Sequence, residues 1–145
     1  MKIHLATDHA GLELKNSIKE YLADKGHDIT DHGAYEYDAL DDYPDFIFPC
    51  ARAVASDPLS RGIILGGSGQ GEAMAANRVK GVRAAVFYNG PIDIIKLSRE
   101  HNNANILSIG ARFMSEDEIR SVLDVWFNEP FGGGRHQRRI DKLDL

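Results

Sequence analysis

Hydrophobic positions along the chain alternate between short apolar runs and longer stretches with helical spacing. The first run, residues 2–7 (KIHLAT), predicts a strand. Residues 11–25 carry apolar side chains near the spacing of one helix face, and Gly26 is suited to cap the end of that helix. The chain therefore begins with a strand followed by a helix.

The same alternation continues toward the C-terminus. Ser115 and Glu118 form a capping-box sequence, and Pro91 suits the first turn of a helix. Five strands separated by helices predict a parallel sheet covered on both faces, a three-layer αβα sandwich of Rossmann-like type. The remaining predicted elements are strands at residues 27–31, 62–65, 82–87 and 105–109, and helices at 45–56, 72–79, from Pro91, and from Ser115 to about Phe127.

A glycine-rich segment follows the third predicted strand. Glycine permits a tight turn and a close approach of ligand to backbone, and loop amides beside a helix start attract anions. Ser68 and Glu72 add a hydroxyl and a carboxylate to the same turn. The segment therefore predicts an anion site with a base beside it. Its glycines are Gly66, Gly67, Gly69 and Gly71.

The spacing of this glycine loop argues against nucleotide binding. Glu72 stands where a phosphate-binding P-loop needs lysine, and the G-x-G-x-G pattern does not follow the first strand, as a dinucleotide fingerprint would. A tight turn without any ligand remains the alternative. Ser68 and Glu72 favour a site, because a purely structural turn needs neither.

Further polar residues are expected at the carboxyl edge of the sheet, where parallel sheets bind ligands. Asp8 and His9 follow the first strand, and Gly110-Ala-Arg112 follows the fifth. Simpler roles exist for each: helix capping for Asp8, a surface imidazole for His9 and a solvated charge for Arg112. The acidic, tyrosine-rich loop from Gly33 to Pro44 is expected to fold over this edge.

Two polar groups lie later in the chain. His101 and Asn102 end the helix that starts near Pro91, where a histidine also compensates the helix dipole. Arg135 and Arg139 are four residues apart and would share one helix face, and arginine is suited to forked recognition of phosphate. A solvated basic arm, or a weak RNA contact, is the alternative for these arginines.

Composition narrows the function classes. The chain has 145 residues, which suits one domain, and a formal net charge of −5, which argues against general nucleic-acid binding. We expect no signal peptide, no membrane span, no metal site and no internal disulfide, since Cys50 is the single cysteine and its apolar surroundings suggest packing. A cytoplasmic location fits these features.

Several separated motifs, in order and over nearly the whole chain, resemble those of the type B ribose-5-phosphate isomerases. This family belongs to a superfamily that includes the galactose-6-phosphate isomerase subunits. The motifs are DHAG at Asp8, DYP at Asp42, GGSGQGE at Gly66, AANRVKGVRAA at Ala75, LSREHNNANILSIGAR at Leu97 and GGRHQRRI at Gly133.

The resemblance implies an aldose–ketose isomerase of the non-oxidative pentose phosphate pathway, which interconverts D-ribose 5-phosphate and D-ribulose 5-phosphate through an enediolate without a cofactor. It implies that residues 1–145 form one domain, and that the arm 128–145 reaches a partner subunit in a homodimer, or in a homotetramer of such dimers, with composite sites. The implied catalytic residues are Glu72, His101 (which opens the sugar ring) and Ser68; the implied substrate-binding residues are Asp8, His9, Gly67, Ser68, Gly69, Gln70, Gly71, Asn102, Arg112, Arg135 and Arg139, with His9 and the three arginines at the phosphate.

One departure from part of the family decides the proposed base. One branch of the family uses a cysteine just before the glycine loop, at a position occupied here by Gly66. The chain instead matches the branch whose base is a glutamate after the loop, which is Glu72. A helix start favours the ionised form of Glu72, whereas burial disfavours it, and sequence does not decide between them.

Three other functions remain open at this point. The nearest is isomerisation of another phosphosugar, such as allose or galactose 6-phosphate, with the loop Tyr35 to Tyr43 and the region of Tyr88 and Asn89 setting the accepted chain length. A non-catalytic sugar-phosphate-binding subunit is less consistent with Glu72 and the arginines. An RNA-binding protein that uses the basic tail fits the acidic chain least.

Overall fold

The computed structural model describes residues 1–144, in which strands and helices alternate along the chain. Each predicted strand and helix is present, and an additional short helix forms in the C-terminal arm. The strands are β1 (Lys2–Thr7), β2 (Asp28–Asp31), β3 (Arg61–Gly66), β4 (Ala84–Phe87) and β5 (Ile106–Gly110); the helices are α1 (Leu12–Asp24), α2 (Pro44–Ser56), α3 (Gln70–Ala76), α4 (Ile92–Glu100), α5 (Glu116–Asn128) and α6 (Arg135–Ile140).

The five strands form one parallel sheet in the order β2-β1-β3-β5-β4. Thr7 pairs with Leu65, and Gly66 pairs with Gly110, so the carboxyl ends of the three central strands lie side by side. The predicted all-parallel sheet is confirmed. Its register places the loops that follow β1, β3 and β5 at one edge.

Helices cover both faces of this sheet, because the central strands are apolar on each side. One core joins Ile3 and Leu5 of β1 to α1, α4 and α5, and the other joins Ala6 and Ile64 to α2 and α3. The predicted αβα sandwich is therefore confirmed. Cys50 is fully buried in the second core, as its predicted packing role requires, and burial raises the pKa of its thiol.

The boundaries of α3 and β4 differ from the prediction. The helix begins at Gln70 rather than residue 72, directly after Gly69 turns the chain with a φ of +79°. It ends at Ala76 rather than residue 79, and β4 begins at Ala84 rather than residue 82. The Asn77 side chain accounts for both changes, since it accepts from the Ala84 N–H at 2.8 Å and donates to the Ala84 carbonyl at 3.0 Å.

Of the two predicted helix starts, the one at Ser115 is confirmed and the one at Pro91 is off by one residue. Pro91 has extended backbone and precedes the first residue of α4, so its predicted place inside the first turn is wrong by one position. The Ser115 hydroxyl accepts the Glu118 N–H at 3.2 Å, which confirms the predicted cap of α5. No helix of residues 1–144 is long and apolar enough to cross a membrane.

Candidate active site

The loops after β1, β3 and β5 meet at the carboxyl edge of the sheet. The Arg112 N–H donates to the Gly67 carbonyl at 3.2 Å, and the Arg112 guanidinium packs so closely on Gly67 that an added Cβ would lie 3.2 Å from its carbon. Asp8 lies close enough for its charge to act on Glu72. The predicted convergence of these segments at one edge is confirmed.

The glycine loop is pressed tightly against β5. The Ser108 hydroxyl donates to the Gly69 carbonyl at 2.5 Å, and a Cβ on Gly110 would lie 2.7 Å from the Ser68 carbonyl oxygen. The Ser68 hydroxyl accepts the Gln70 N–H at 3.4 Å. The loop is therefore a well-packed turn, and its Ser68 side chain is half-buried beside the edge.

Glu72 is a buried acid in contact with the backbone of this loop. Glu72 is only 5% exposed, and its carboxylate occupies the space that a Cβ on Gly66 would fill. Burial raises the pKa of Glu72, the negative charge of Asp8 adds to that rise, and a backbone hydrogen bond opposes it. Burial therefore outweighs the stabilisation expected from a helix start, and Glu72 is a stronger base than an exposed glutamate.

Asp8, His9 and Asp41 form a polar group beside this acid. One Asp8 oxygen accepts the Ala10 N–H at 2.9 Å, so the capping role predicted for Asp8 is present. The Asp41 Oδ1 lies 2.6 Å from His9 Nδ1 and also accepts the His9 N–H at 3.2 Å. His9 is thus held by a carboxylate rather than standing as a free surface imidazole.

This trio also presents three potential metal-ligand atoms, all within 4.8 Å of one another. The 2.6 Å separation of His9 Nδ1 and Asp41 Oδ1 is that of a short hydrogen bond between the two groups. Two ligands of one cation would be held farther apart, because each bonds the ion and not the other. The geometry therefore describes an ion pair, and we assign no metal to it.

The loop from Gly33 to Pro44 folds over the same edge, as predicted. Its residue Asp41 reaches His9, and the Tyr43 ring packs on the start of α3, where a Cβ on Gly71 would lie 2.8 Å from the Tyr43 hydroxyl oxygen. Lys15, which is fully buried, fixes the beginning of the loop by donating to Asp31 and to the Ala34 carbonyl, both at 2.6 Å.

The remaining predicted residues lie at the opposite edge of the sheet. Helix α4 starts after the carboxyl end of β4 and returns across the sheet, so His101 and Asn102 lie near the first residue of β5. Because β5 spans roughly 13 Å, they are well separated from Glu72 in the same chain. The structure therefore does not bring them together with the glycine loop.

His101 instead joins the C-terminal arm. Its ring stacks on His136 with centroids 4.3 Å apart, and the Gly132 N–H donates to the Glu100 carbonyl at 2.9 Å. Arg135 and Arg139 lie on α6 and are exposed. One protomer thus carries two polar groups. The edge group comprises Asp8, His9, Ser68, Glu72 and Arg112, and the arm group comprises His101, Asn102, His136, Arg135 and Arg139.

The family model described as Ribose/Galactose Isomerase matches residues 3–143. The chain belongs to the ribose/galactose isomerase family. A ribose-5-phosphate isomerase B of Mycobacterium tuberculosis is 46% identical over 144 residues, which cover 99% of this chain and 88% of the relative. The chain is thus an isomerase of the ribose/galactose isomerase family.

Solved structures of the ribose/galactose isomerase family agree with the fold. Ribose-5-phosphate isomerase B of Mycoplasma genitalium, with bound ribulose-5-phosphate, superposes with a TM-score of 0.93 at 43% identity and covers 98% of this chain and 93% of its own. The Clostridium thermocellum protein gives 0.93 at 41% identity, covering 99% and 95%.

Sequence analysis missed two residues of the site in this ribose/galactose isomerase. Asp41 and Tyr43 belong to an acidic loop whose contacts depend on its folded path. The loop Tyr35 to Tyr43 was expected to set the accepted chain length, but no individual contact was predicted for Asp41 or Tyr43. The position of Asp41 and Tyr43 immediately before the helix start at Pro44 is the one signal that could have drawn attention to them.

Proposed function

We propose that the chain interconverts D-ribose 5-phosphate and D-ribulose 5-phosphate through an enediolate, with Glu72 as the proton carrier. The observation that carries the proposal is the buried Glu72 carboxylate, whose pKa is raised by burial and which lies against Gly66 of the glycine loop. The names of the relatives, and the ribulose-5-phosphate bound to the Mycoplasma genitalium structure, support this substrate pair.

Each residue of the edge group has a role in this proposal. In the open-chain aldose, Glu72 removes the proton from C2, and electrons move to the aldehyde oxygen to give the enediolate. That oxyanion is stabilised by the Ser68 hydroxyl and by the amides of Gly67, Gly69, Gln70 and Gly71. A well-placed donor of this kind lowers the barrier by about 3 kcal/mol. Glu72 then returns the proton to C1, while the O2 proton passes to O1.

The cationic side of the edge suits the phosphate. Arg112 lies on Gly67, and its charge is felt at His9, so two positive groups face the same end of the loop. Phosphate is a doubly charged acceptor that arginine can bind through two hydrogen bonds. Asp8 then suits the sugar hydroxyls, since a carboxylate accepts hydrogen bonds.

In this proposal the enzyme is a homodimer, or a homotetramer of such dimers, in which the arm group of one subunit completes the site of its partner. The proposed location is the cytoplasm. The proposal assigns ring opening to His101, sugar binding to Asn102 and the rest of the phosphate clamp to Arg135 and Arg139, all supplied by the partner. The separation of these residues from Glu72 within one chain supports composite sites. Chemistry carried by a carboxylate and a histidine requires no cofactor.

The test compares Glu72→Gln with the unaltered chain in the presence of a metal chelator. We expect kcat for ribose 5-phosphate to fall about 10²–10⁴-fold, because a general base of this kind contributes that much, while substrate binding persists. Glu20→Gln, an exposed change on α1, is the matched control. Near-normal turnover by Glu72→Gln would exclude Glu72 as the base.

A second arm of the assay compares five- and six-carbon aldose phosphates. The loop containing Asp41 and Tyr43 folds over the edge, so we expect it to set the accepted chain length, and the names of the relatives favour the five-carbon substrate. Preferential turnover of allose or galactose 6-phosphate would overturn the ribose assignment and leave the isomerase class intact.

A further inference from the structure

The Asp41 side chain makes its hydrogen bonds with one residue, His9. Its Oδ1 is 2.6 Å from His9 Nδ1 and accepts the His9 N–H at 3.2 Å, so one carboxylate oxygen holds both the ring and the backbone. The Asp41 side chain is only 8% exposed. Its Oδ2 is buried and has no hydrogen-bond partner within residues 1–144. His9 is therefore the group that compensates this carboxylate.

The contact determines which nitrogen of His9 is available. An ionised carboxylate only accepts hydrogen bonds, so Nδ1 must carry the hydrogen, and Nε2 is left for a ligand. In a neutral imidazole, Nε2 would present a lone pair, which repels a phosphate oxygen. In the charged imidazolium, Nε2 carries a second N–H and can donate to that oxygen.

The charges around His9 favour the imidazolium. Its pKa is raised, first by the hydrogen bond to Asp41 and then by the charge of Asp8, while partial desolvation and Arg112 oppose the rise. Tyr37 lies edge-on to the ring with centroids 5.9 Å apart, and Glu13 of α1 lines the adjoining cleft. Within one protomer, the carboxylates of Asp41 and Asp8 therefore outnumber Arg112, the cation whose charge acts on His9.

We propose that Asp41 is a positioning residue that holds His9 as an imidazolium, with Nε2 available to donate to the substrate phosphate. The proposal rests on the proposed function, because it takes the phosphate end of the site to lie beside His9 and Arg112. It also gives the loop from Gly33 to Pro44 a specific task. Asp41 does not itself act on the reacting carbons of the sugar, but through His9 it sets the charge of the phosphate subsite.

The test is the pH dependence of KM in Asp41→Asn, which keeps the size and an acceptor oxygen but removes the charge. Without the carboxylate, His9 loses its proton near the ordinary histidine pKa of about 6.5. Above that pH we expect KM for ribose 5-phosphate to rise about tenfold, the range of a lost hydrogen bond to a charged group, with kcat nearly unchanged. Below it, the KM ratio of variant to unaltered enzyme should approach one.

The ratio isolates His9, because ionisation of the substrate phosphate affects both enzymes equally. Asp38→Asn is the matched control: Asp38 lies in the same loop, and its carboxylate accepts the Leu40 N–H rather than touching His9. Its KM should follow the unaltered enzyme at every pH. Asp41→Glu, which restores the charge, should recover part of the loss.

Two further measurements separate positioning from a structural effect. Once His9→Gln is present, adding Asp41→Asn should raise KM no further, because both changes remove the same contact. NMR titration of the His9 ring, with and without inorganic phosphate, should show a lower pKa in Asp41→Asn. A pH-independent KM ratio, or an unchanged His9 pKa, would overturn the proposal.

Failure of the proposed function is distinguishable from failure of this inference. If the unaltered chain does not isomerise ribose 5-phosphate, the proposed function fails, and the NMR titration with phosphate still decides the role of Asp41. If the unaltered chain turns over normally but the KM ratio is flat with pH, only the role of Asp41 fails.

Discussion

Replacing Gly66 by alanine should disable the enzyme without unfolding it. Gly66 is the last residue of β3, and a Cβ built there coincides with the carboxylate of Glu72. Real Cβ atoms essentially never approach another heavy atom within 3.0 Å. Since the alanine methyl cannot move away from the sheet backbone, the Glu72 carboxylate must leave its position.

The size of the effect follows from that displacement. Moving a catalytic group by about 1 Å costs about 10²-fold in rate, and complete loss of a general base costs about 10²–10⁴-fold. We therefore expect kcat to fall about 10²–10⁴-fold. Overpacking costs about 1–3 kcal/mol of unfolding free energy, which lowers Tm by about 3–4 °C per kcal/mol in a domain of this size.

The assay measures kcat with saturating ribose 5-phosphate, alongside thermal unfolding. Glu72→Asp and the double variant Gly66→Ala/Glu72→Asp are the matched controls, because the shorter acid makes room for the methyl group. The double variant should regain stability relative to Gly66→Ala but stay as inactive as Glu72→Asp. A kcat within about threefold of normal for Gly66→Ala would refute the assigned position of the base.

Two other predictions concern the assembly and the sheet edge. Mixing Glu72→Gln with His101→Asn, each nearly inactive alone, should restore about a quarter of the activity if sites combine Glu72 of one chain with His101 of another. No recovery after subunit exchange would mean that no site takes these two residues from different chains. His4 and His32, whose ring nitrogens lie 2.8 Å apart, both have pKa values lowered chiefly by burial. The unfolded chain then binds more protons than the folded chain, so the free energy of unfolding should fall as pH drops below about 6.5. In urea unfolding experiments, His32→Asn should weaken this pH dependence. An unchanged dependence of the unfolding free energy on pH would contradict the assigned burial of the pair.

Local sequence patterns predicted the order of elements well, because apolar periodicity is a property of neighbouring residues. They did not predict where α3 ends and β4 begins. That boundary depends on the Asn77 side chain bonding both backbone groups of Ala84, a contact that spacing does not encode. The predicted elements likewise do not include the short helix α6, although the spacing of Arg135 and Arg139 is that of one helix face.

The site was predictable where strand ends determine it, and less so elsewhere. Asp8, the glycine loop and Arg112 follow directly from the parallel sheet, since its strands end at one edge. Asp41 and Tyr43 reach the site through an irregular loop, whose path is set by tertiary contacts such as those of the buried Lys15. The direction of the Glu72 pKa shift also required the structure, because only burial could decide between two opposing effects.

The proposed division of the site between the two edges of the sheet has a chemical basis. Ring opening and proton transfer at carbon are successive steps, and they act on different atoms of the sugar. An isolated protomer has Glu72, the glycine loop and Arg112 at one edge, but holds His101 at the other. It could therefore act on the open-chain aldehyde and not on the ring form that predominates in solution. In the proposed assembly, His101 of a partner would lie over the edge group and join the two steps, so assembly would be required for turnover and not merely for stability.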